Sequence, residues 1–212
     1  MDYLDNILAV YLRSTPTQRI TGRRWYRRMY AVTVGRAVQS HLHADNVAAI
    51  WAAYSINTPW KRNIRLASRT MRNLAQGRDP LDGIKALTMS KRMILRALSG
   101  ETLDTIIKGD NKHKIRSFAA NMAGDHDRVT VDRWAYRIAT NFADCPNDGA
   151  PCTPRGGNHA CAATPKGQLY HDIADAYRTV AGWIGETPAD LQAITWIVMK
   201  EASVFPSEGG DD

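Results

Sequence analysis

Apolar residues return every three or four positions over Tyr3–Leu12, Trp25–Leu42, Val47–Ser55, Ile64–Leu74, Met93–Leu98, Ile115–Met122, Trp134–Asn141, Tyr170–Ile184 and Ala189–Val198. That period is the signature of helices with one buried face. Breaks fall where such helices are expected to stop, at Thr15-Pro16, Asn57-Thr58-Pro59, Gly77, Gly100 and Gly109. Thr187-Pro188-Ala189-Asp190 has the form of a helix start, with a capping hydroxyl, a proline in the first turn and an acid behind it. Only Arg128–Val131 reads as extended, and it is too short to build a sheet. The pattern predicts an all-α chain without internal repeats, and a polar tail over Pro206–Asp212 that is expected to fray. With 212 residues, 44% of them hydrophobic, the chain is long enough for one substantial core or two small helical lobes.

The segment Asp144–Gly167 interrupts this pattern and holds all three cysteines. Irregular stretches of this length are usually functional or disordered. Cys145, Cys152, His159 and Cys161 supply a metal-binding set on paper. The gaps of six and eight residues match no compact knuckle, so reduced thiols are the first reading and no metal is expected. The formal charge of +7 suits a polyanionic partner without selecting one. No run approaches a membrane span of about 18 apolar residues. The acidic start Met1-Asp2-Tyr3-Leu4-Asp5 is unlike a signal peptide, so an intracellular protein is expected.

The chemistry is concentrated in two neighbouring pieces. A glycine-containing turn, Lys108-Gly109-Asp110-Asn111-Lys112-His113-Lys114, opens the helix at Ile115. Val129-Thr130-Val131 then delivers Asp132 to the next helix start, 18 positions beyond Lys114. Breaking an N-glycosidic bond builds positive charge on the sugar, which a carboxylate stabilises and a lysine amine can capture at C1′. The same residues also fit a solvated basic turn followed by an ordinary aspartate N-cap.

In order and spacing these pieces resemble the helix-hairpin-helix DNA glycosylases. Further pieces are Gly22-Arg23-Arg24-Trp25-Tyr26, the Val47–Ser55 stretch, Thr58–Asn63, Ala174–Arg178 and Leu191–Trp196. With them the chain resembles a phage-associated branch that includes the α-glutamyl/putrescinyl-thymine pyrophosphorylase-like proteins, over about residues 15–200. The resemblance implies one glycosylase-like domain over residues 1–205, made of two helical lobes with the active site in the cleft between them. It implies Lys114 as nucleophile, Asp132 as the assisting carboxylate, and a hairpin of Gly109, Asn111, Lys112 and His113 that grips the DNA backbone beside Arg133. It also implies a base pocket with Trp60, Asn63, Gln192 and Trp196. The expected partner is double-stranded DNA carrying a modified pyrimidine with a bulky 5-substituent, bound by a monomer that needs no cofactor. Two departures stand out. Asn111 occupies the place of the hairpin's second glycine, and Lys112, His113 and Lys114 crowd the nucleophile position. Lys112 is therefore an alternative nucleophile.

Each assignment has a plainer counterpart. Trp60 and Asn63 fit a helix-start staple and a core amide. Gln192 and Trp196, spaced i, i+4, fit helix packing. Trp51 and Tyr54 read as core, Arg23, Arg24, Arg27 and Arg28 as a solvated face or phosphate contacts, and His126 as an exposed loop residue. Because the Asp144–Gly167 loop directly follows the helix begun at Asp132, its alternative role is to cover the base pocket or lie along DNA, with Arg155 and Lys166 on phosphates. Three functions share these residues: base excision, hypermodification of a base that stays in DNA, and non-catalytic DNA binding.

Overall fold

The computed structural model describes residues 2–56, 58–109, 112–141 and 165–204. The described residues are helical, with ten helices and no strand among them. These are α1 Tyr3–Leu12, α2 Pro16–Ser40, α3 Ala44–Tyr54, α4 Trp60–Ala75, α5 Thr88–Leu98, α6 Leu103–Ile106, α7 His113–Ala123, α8 Arg133–Ala139, α9 Gly167–Ile184 and α10 Pro188–Val204. No helix among the described residues is long and apolar enough to cross a membrane.

Two of the expected breaks are helix starts instead. The Thr15 hydroxyl accepts from the Gln18 N–H at 3.2 Å, and the Gln18 side chain accepts from the Thr15 N–H at 2.8 Å. This reciprocal capping box places Pro16 in the first turn, where a missing N–H costs nothing. α2 therefore starts well before the apolar periodicity at Trp25 does. Pro59 likewise precedes α4, which begins at Trp60 rather than Ile64. At Thr187 the expectation holds, because its hydroxyl accepts from the Asp190 N–H at 3.1 Å. Residues 128–131 form no strand. Val131 N–H donates to the Val129 carbonyl and Asp132 N–H to the Thr130 carbonyl, closing two successive three-residue turns.

The chain divides into two units, with the boundaries inside α2 and just after Arg128. The central unit, residues 26–128, is organised around α3. From Val47 to Tyr54 every residue of α3 is buried, because the sequence is apolar all the way round the helix. Its alanines 48, 49, 52 and 53 let neighbouring helices come close. Met93, Ile94 and Ala97 of α5, Ala67 and Met71 of α4, and Ala119 and Met122 of α7 complete the core. Trp51 and Tyr54 are core residues, as their spacing suggested.

The second unit comprises residues 1–25 and the chain from 129 onward. Ile7, Val10 and Tyr11 of α1 pack with Ile173, Tyr177 and Val180 of α9, and with Leu191 and Ile194 of α10. α2 crosses α10 at Gly22, where an added Cβ would lie 2.4 Å from an Ile194 side-chain carbon and 2.7 Å from its Cα. Backbone cannot yield as a side-chain tip does, so the crossing requires glycine. Arg23, one residue on, donates through Nε to both oxygens of buried Glu186 at 3.0 Å, and Tyr11 Oη donates to the same carboxylate at 3.0 Å. Burial works to raise the Glu186 pKa, but the Arg23 and Tyr11 hydrogen bonds outweigh it and hold the group below its ordinary value. Arg23 is thus a structural residue rather than part of a solvated cluster.

Two outcomes follow for stability. Gly22→Ala should cost about 2–3 kcal/mol through overpacking, seen as a lowered melting temperature. A melting temperature equal to the parent's would contradict the close crossing. Because the Glu186 pKa is depressed in the fold, its contribution is full above the ordinary value of 4.5 and disappears as pH falls through the folded value. Glu186→Gln should be less stable by about 2 kcal/mol at neutral pH, a gap that narrows in acid denaturation series as pH falls below 4.5. A gap constant with pH would contradict the assignment.

Candidate functional site

The turn before α7 is built by Gly109, whose φ of +99° is a backbone state that side-chain-bearing residues rarely adopt. Lys112 N–H donates back to the Gly109 carbonyl at 3.1 Å and stands at the N-cap of α7. Arg116, one turn into α7, donates through Nε and an Nη to the Ile107 carbonyl at 3.1 and 2.6 Å. It thereby satisfies the end of α6 and ties the two helices together. α6 and α7 thus stand on either side of Gly109, with Lys112, His113 and Lys114 half-buried at the α7 start. Asn111 lies outside the described residues, as do Cys145, Cys152, His159 and Cys161 with Arg155.

Four residues beyond Lys114, on the same side of α7, stands Phe118. Its ring meets the Trp60 indole edge-on at 6.3 Å and the Tyr26 ring at 6.4 Å. Trp60 is half-buried at the start of α4, and Asn63 follows one turn later on the inner side of that helix. Asn63 is 1% exposed and its Oδ1 has no hydrogen-bond partner among the described residues. A buried acceptor left unpaired costs about 1–3 kcal/mol. The central unit thus joins Trp60, Phe118 and Tyr26 in an aromatic wall, with Lys114 one turn before Phe118 along α7 and Asn63 one turn after Trp60 along α4. Phe118 and Tyr26 belong to that wall but were not legible as such, since their contacts join distant parts of the chain.

The second unit holds the other candidates. Asp132 is the N-cap of α8, and its Oδ1 accepts from the N–H groups of Trp134 and Ala135, both at 2.9 Å. The approach to it is pinned by Tyr170, whose hydroxyl donates to the Val129 carbonyl at 2.8 Å and accepts from Val131 N–H. Behind lies Tyr177, fully buried, with its hydroxyl 3.3 Å from the Thr195 hydroxyl. Burial pushes the Tyr177 phenol up, against the Thr195 hydrogen bond, and the Asp132 charge pushes it further. It remains a neutral phenol throughout the working pH range.

Thr195 sits on α10 between Gln192, which is buried, and Trp196, which is half-buried and packs against Trp25 at 6.5 Å. Lys200 lies over the Trp196 ring at 4.4 Å, a cation–π contact. Asp132, Tyr177, Thr195 and the Gln192–Trp196 turn thus belong to one packed region. Tyr177 and Thr195 lie within the Ala174–Arg178 and Leu191–Trp196 stretches, but only the folded chain shows that their hydroxyls meet. Arg133, the first residue of α8, is exposed. His126 is half-buried rather than exposed, and its Nδ1 has no partner among the described residues.

The chain belongs to a family of unknown function, DUF7178, whose match covers residues 1–203. Comparison with curated proteins and with solved structures gives no match.

Because Asn63 is buried with its acceptor unpaired, Asn63→Leu should leave stability within about 1 kcal/mol of the parent or raise it. Chemical denaturation measures this. A loss of several kcal/mol would mean that the amide has an internal structural role.

Proposed function

We propose that the chain is a DNA glycosylase of the two-lobed helix-hairpin-helix type, which extrudes a modified pyrimidine from duplex DNA and cleaves its N-glycosidic bond. The observation that carries this reading is the left-handed Gly109 turn ending in Lys114 on the first turn of α7. Turn amides preceding a helix suit a phosphate, since the amides and the helix dipole both favour negative charge. Gly109, Lys112 and His113 are assigned to the DNA backbone, with Asn111 beside them, and Arg133 to a phosphate near α8.

In the reaction, the bond between C1′ and the base nitrogen breaks, and the electron pair leaves with the base. The Asp132 carboxylate stabilises the positive charge left on the sugar. The Lys114 amine bonds to C1′, or water does so after giving its proton to Asp132. Trp60 and Asn63 are assigned to the flipped base, with the Asn63 carbonyl accepting from a base N–H. Gln192 and Trp196 are assigned to the same task. The two amides that hold Asp132 Oδ1 support its role, because they fix the direction from which the charge acts.

Asp132→Asn keeps the cap and removes the charge. It should lower base release on the order of a hundredfold or more. Full activity would eliminate the mechanism. Borohydride should trap a covalent imine between Lys114 and the sugar, and Lys114→Gln should abolish the trap. Trapping that survives in Lys114→Gln and vanishes in Lys112→Gln would move the nucleophile to Lys112. Base release without any trapping would assign the attack to water.

A further inference from the structure

α4 has two faces of opposite character. Asn63, Ala67 and Thr70 point inward and are buried, whereas Arg62, Arg65, Arg69 and Arg72 are all exposed. At about 100° per residue, these four positions fall within an arc of roughly 80° on the side away from Asn63. They span about 15 Å of helix, at successive spacings of about 4.5 and 6 Å. None of the four forms an ion pair among the described residues.

The surface beside them is concave rather than flat. Arg62 lines a cavity of about 520 Å³ with Lys85 and Lys91. Arg65, Arg69 and Arg72 line a second of about 380 Å³, joined by Arg78 and Asn73. Arg72 and Arg36 border a third of about 160 Å³. No carboxylate lines any of the three. The arginines hold their like charges side by side without neutralisation, a cost that an extended polyanion removes.

We propose that this outer face of α4 binds the phosphodiester backbone of a nucleic acid strand, as a surface separate from the Gly109 hairpin. Guanidinium groups fit phosphate oxygens two at a time. A row of them at near-regular spacing fits a charged polymer better than a single small anion. An anionic membrane is the poorer fit. Membrane-surface helices gain most of their affinity from apolar side chains entering the bilayer beside the cations, and the apolar side of α4 is packed into the core. The inference is independent of the excision reading, because its residues lie on the opposite face of α4 from Asn63.

The test compares the whole chain with an Arg65→Gln/Arg69→Gln/Arg72→Gln variant. Glutamine keeps helix propensity, and all three sites are exposed, so circular dichroism should be unchanged. Fluorescence anisotropy follows binding of unmodified duplex DNA, single-stranded DNA and single-stranded RNA across a salt series. The variant should show a slope of log affinity against log salt shallower by about 2.7 for duplex, or about 2.1 for a single strand. Whichever polymer shows the loss identifies the natural strand type. A change smaller than one phosphate contact on all three polymers would overturn the proposal. So would binding to phosphatidylserine vesicles that the variant loses while its oligonucleotide slopes stay unchanged. Base release from modified DNA is read separately. A wild-type chain that binds with the expected slopes yet releases no base would defeat the excision reading and leave this one standing.

Discussion

A carboxylate that caps a helix is aimed by the amides it satisfies. At Asp132 those amides belong to Trp134 and Ala135, and the surrounding structure serves to keep them where they are. The two small turns before Asp132 are pinned at Val129 and Val131 by the Tyr170 hydroxyl. α9, which carries Tyr170, also carries Tyr177, whose buried phenol feels the Asp132 charge. An N-cap of this kind contributes about 1 kcal/mol, so the position has a structural reason to exist without any chemistry. What separates the two roles is charge, because asparagine caps as well as aspartate does.

The opposite faces of α4 differ in character. Its inner face supplies Asn63 next to the aromatic wall of Trp60, Phe118 and Tyr26. Its outer face supplies arginines that form no ion pair among the described residues. The inner face costs stability through an unpaired acceptor and the outer face through charge repulsion. Paired liabilities on one helix make sense if ligands, rather than the fold, satisfy both.

Most helices were legible because each shows one apolar face at the helical period, and α3 was legible as core because it is apolar all round. Boundaries were less so. The first turns of α2 and α4 hold polar and proline residues that read as breaks until the Thr15–Gln18 box and the Pro59 start are seen. α6, with four residues, is too short to show a period. Gly109, Lys114 and Asp132 were legible as a pattern because turn chemistry and capping are local. Phe118, Tyr26, Tyr177 and Thr195 were not, since their partners come from distant parts of the chain. The α4 arginines recur at i, i+3, i+7 and i+10 and were readable in principle. They pass unremarked when apolar periodicity alone is followed, because they are its polar complement.

The proposed reaction releases a pyrimidine base bearing a bulky 5-substituent. Incubation with phage-modified DNA and with ordinary DNA of the same sequence, followed by alkali treatment and gel analysis, reads abasic sites directly. Mass spectrometry of the small-molecule fraction identifies the base. Excision should give alkali-labile breaks and a free modified pyrimidine from the modified DNA, and neither from the ordinary DNA. A modified base that stays in intact DNA with an altered mass would contradict excision, and breaks of equal number in both DNAs would contradict the choice of substrate.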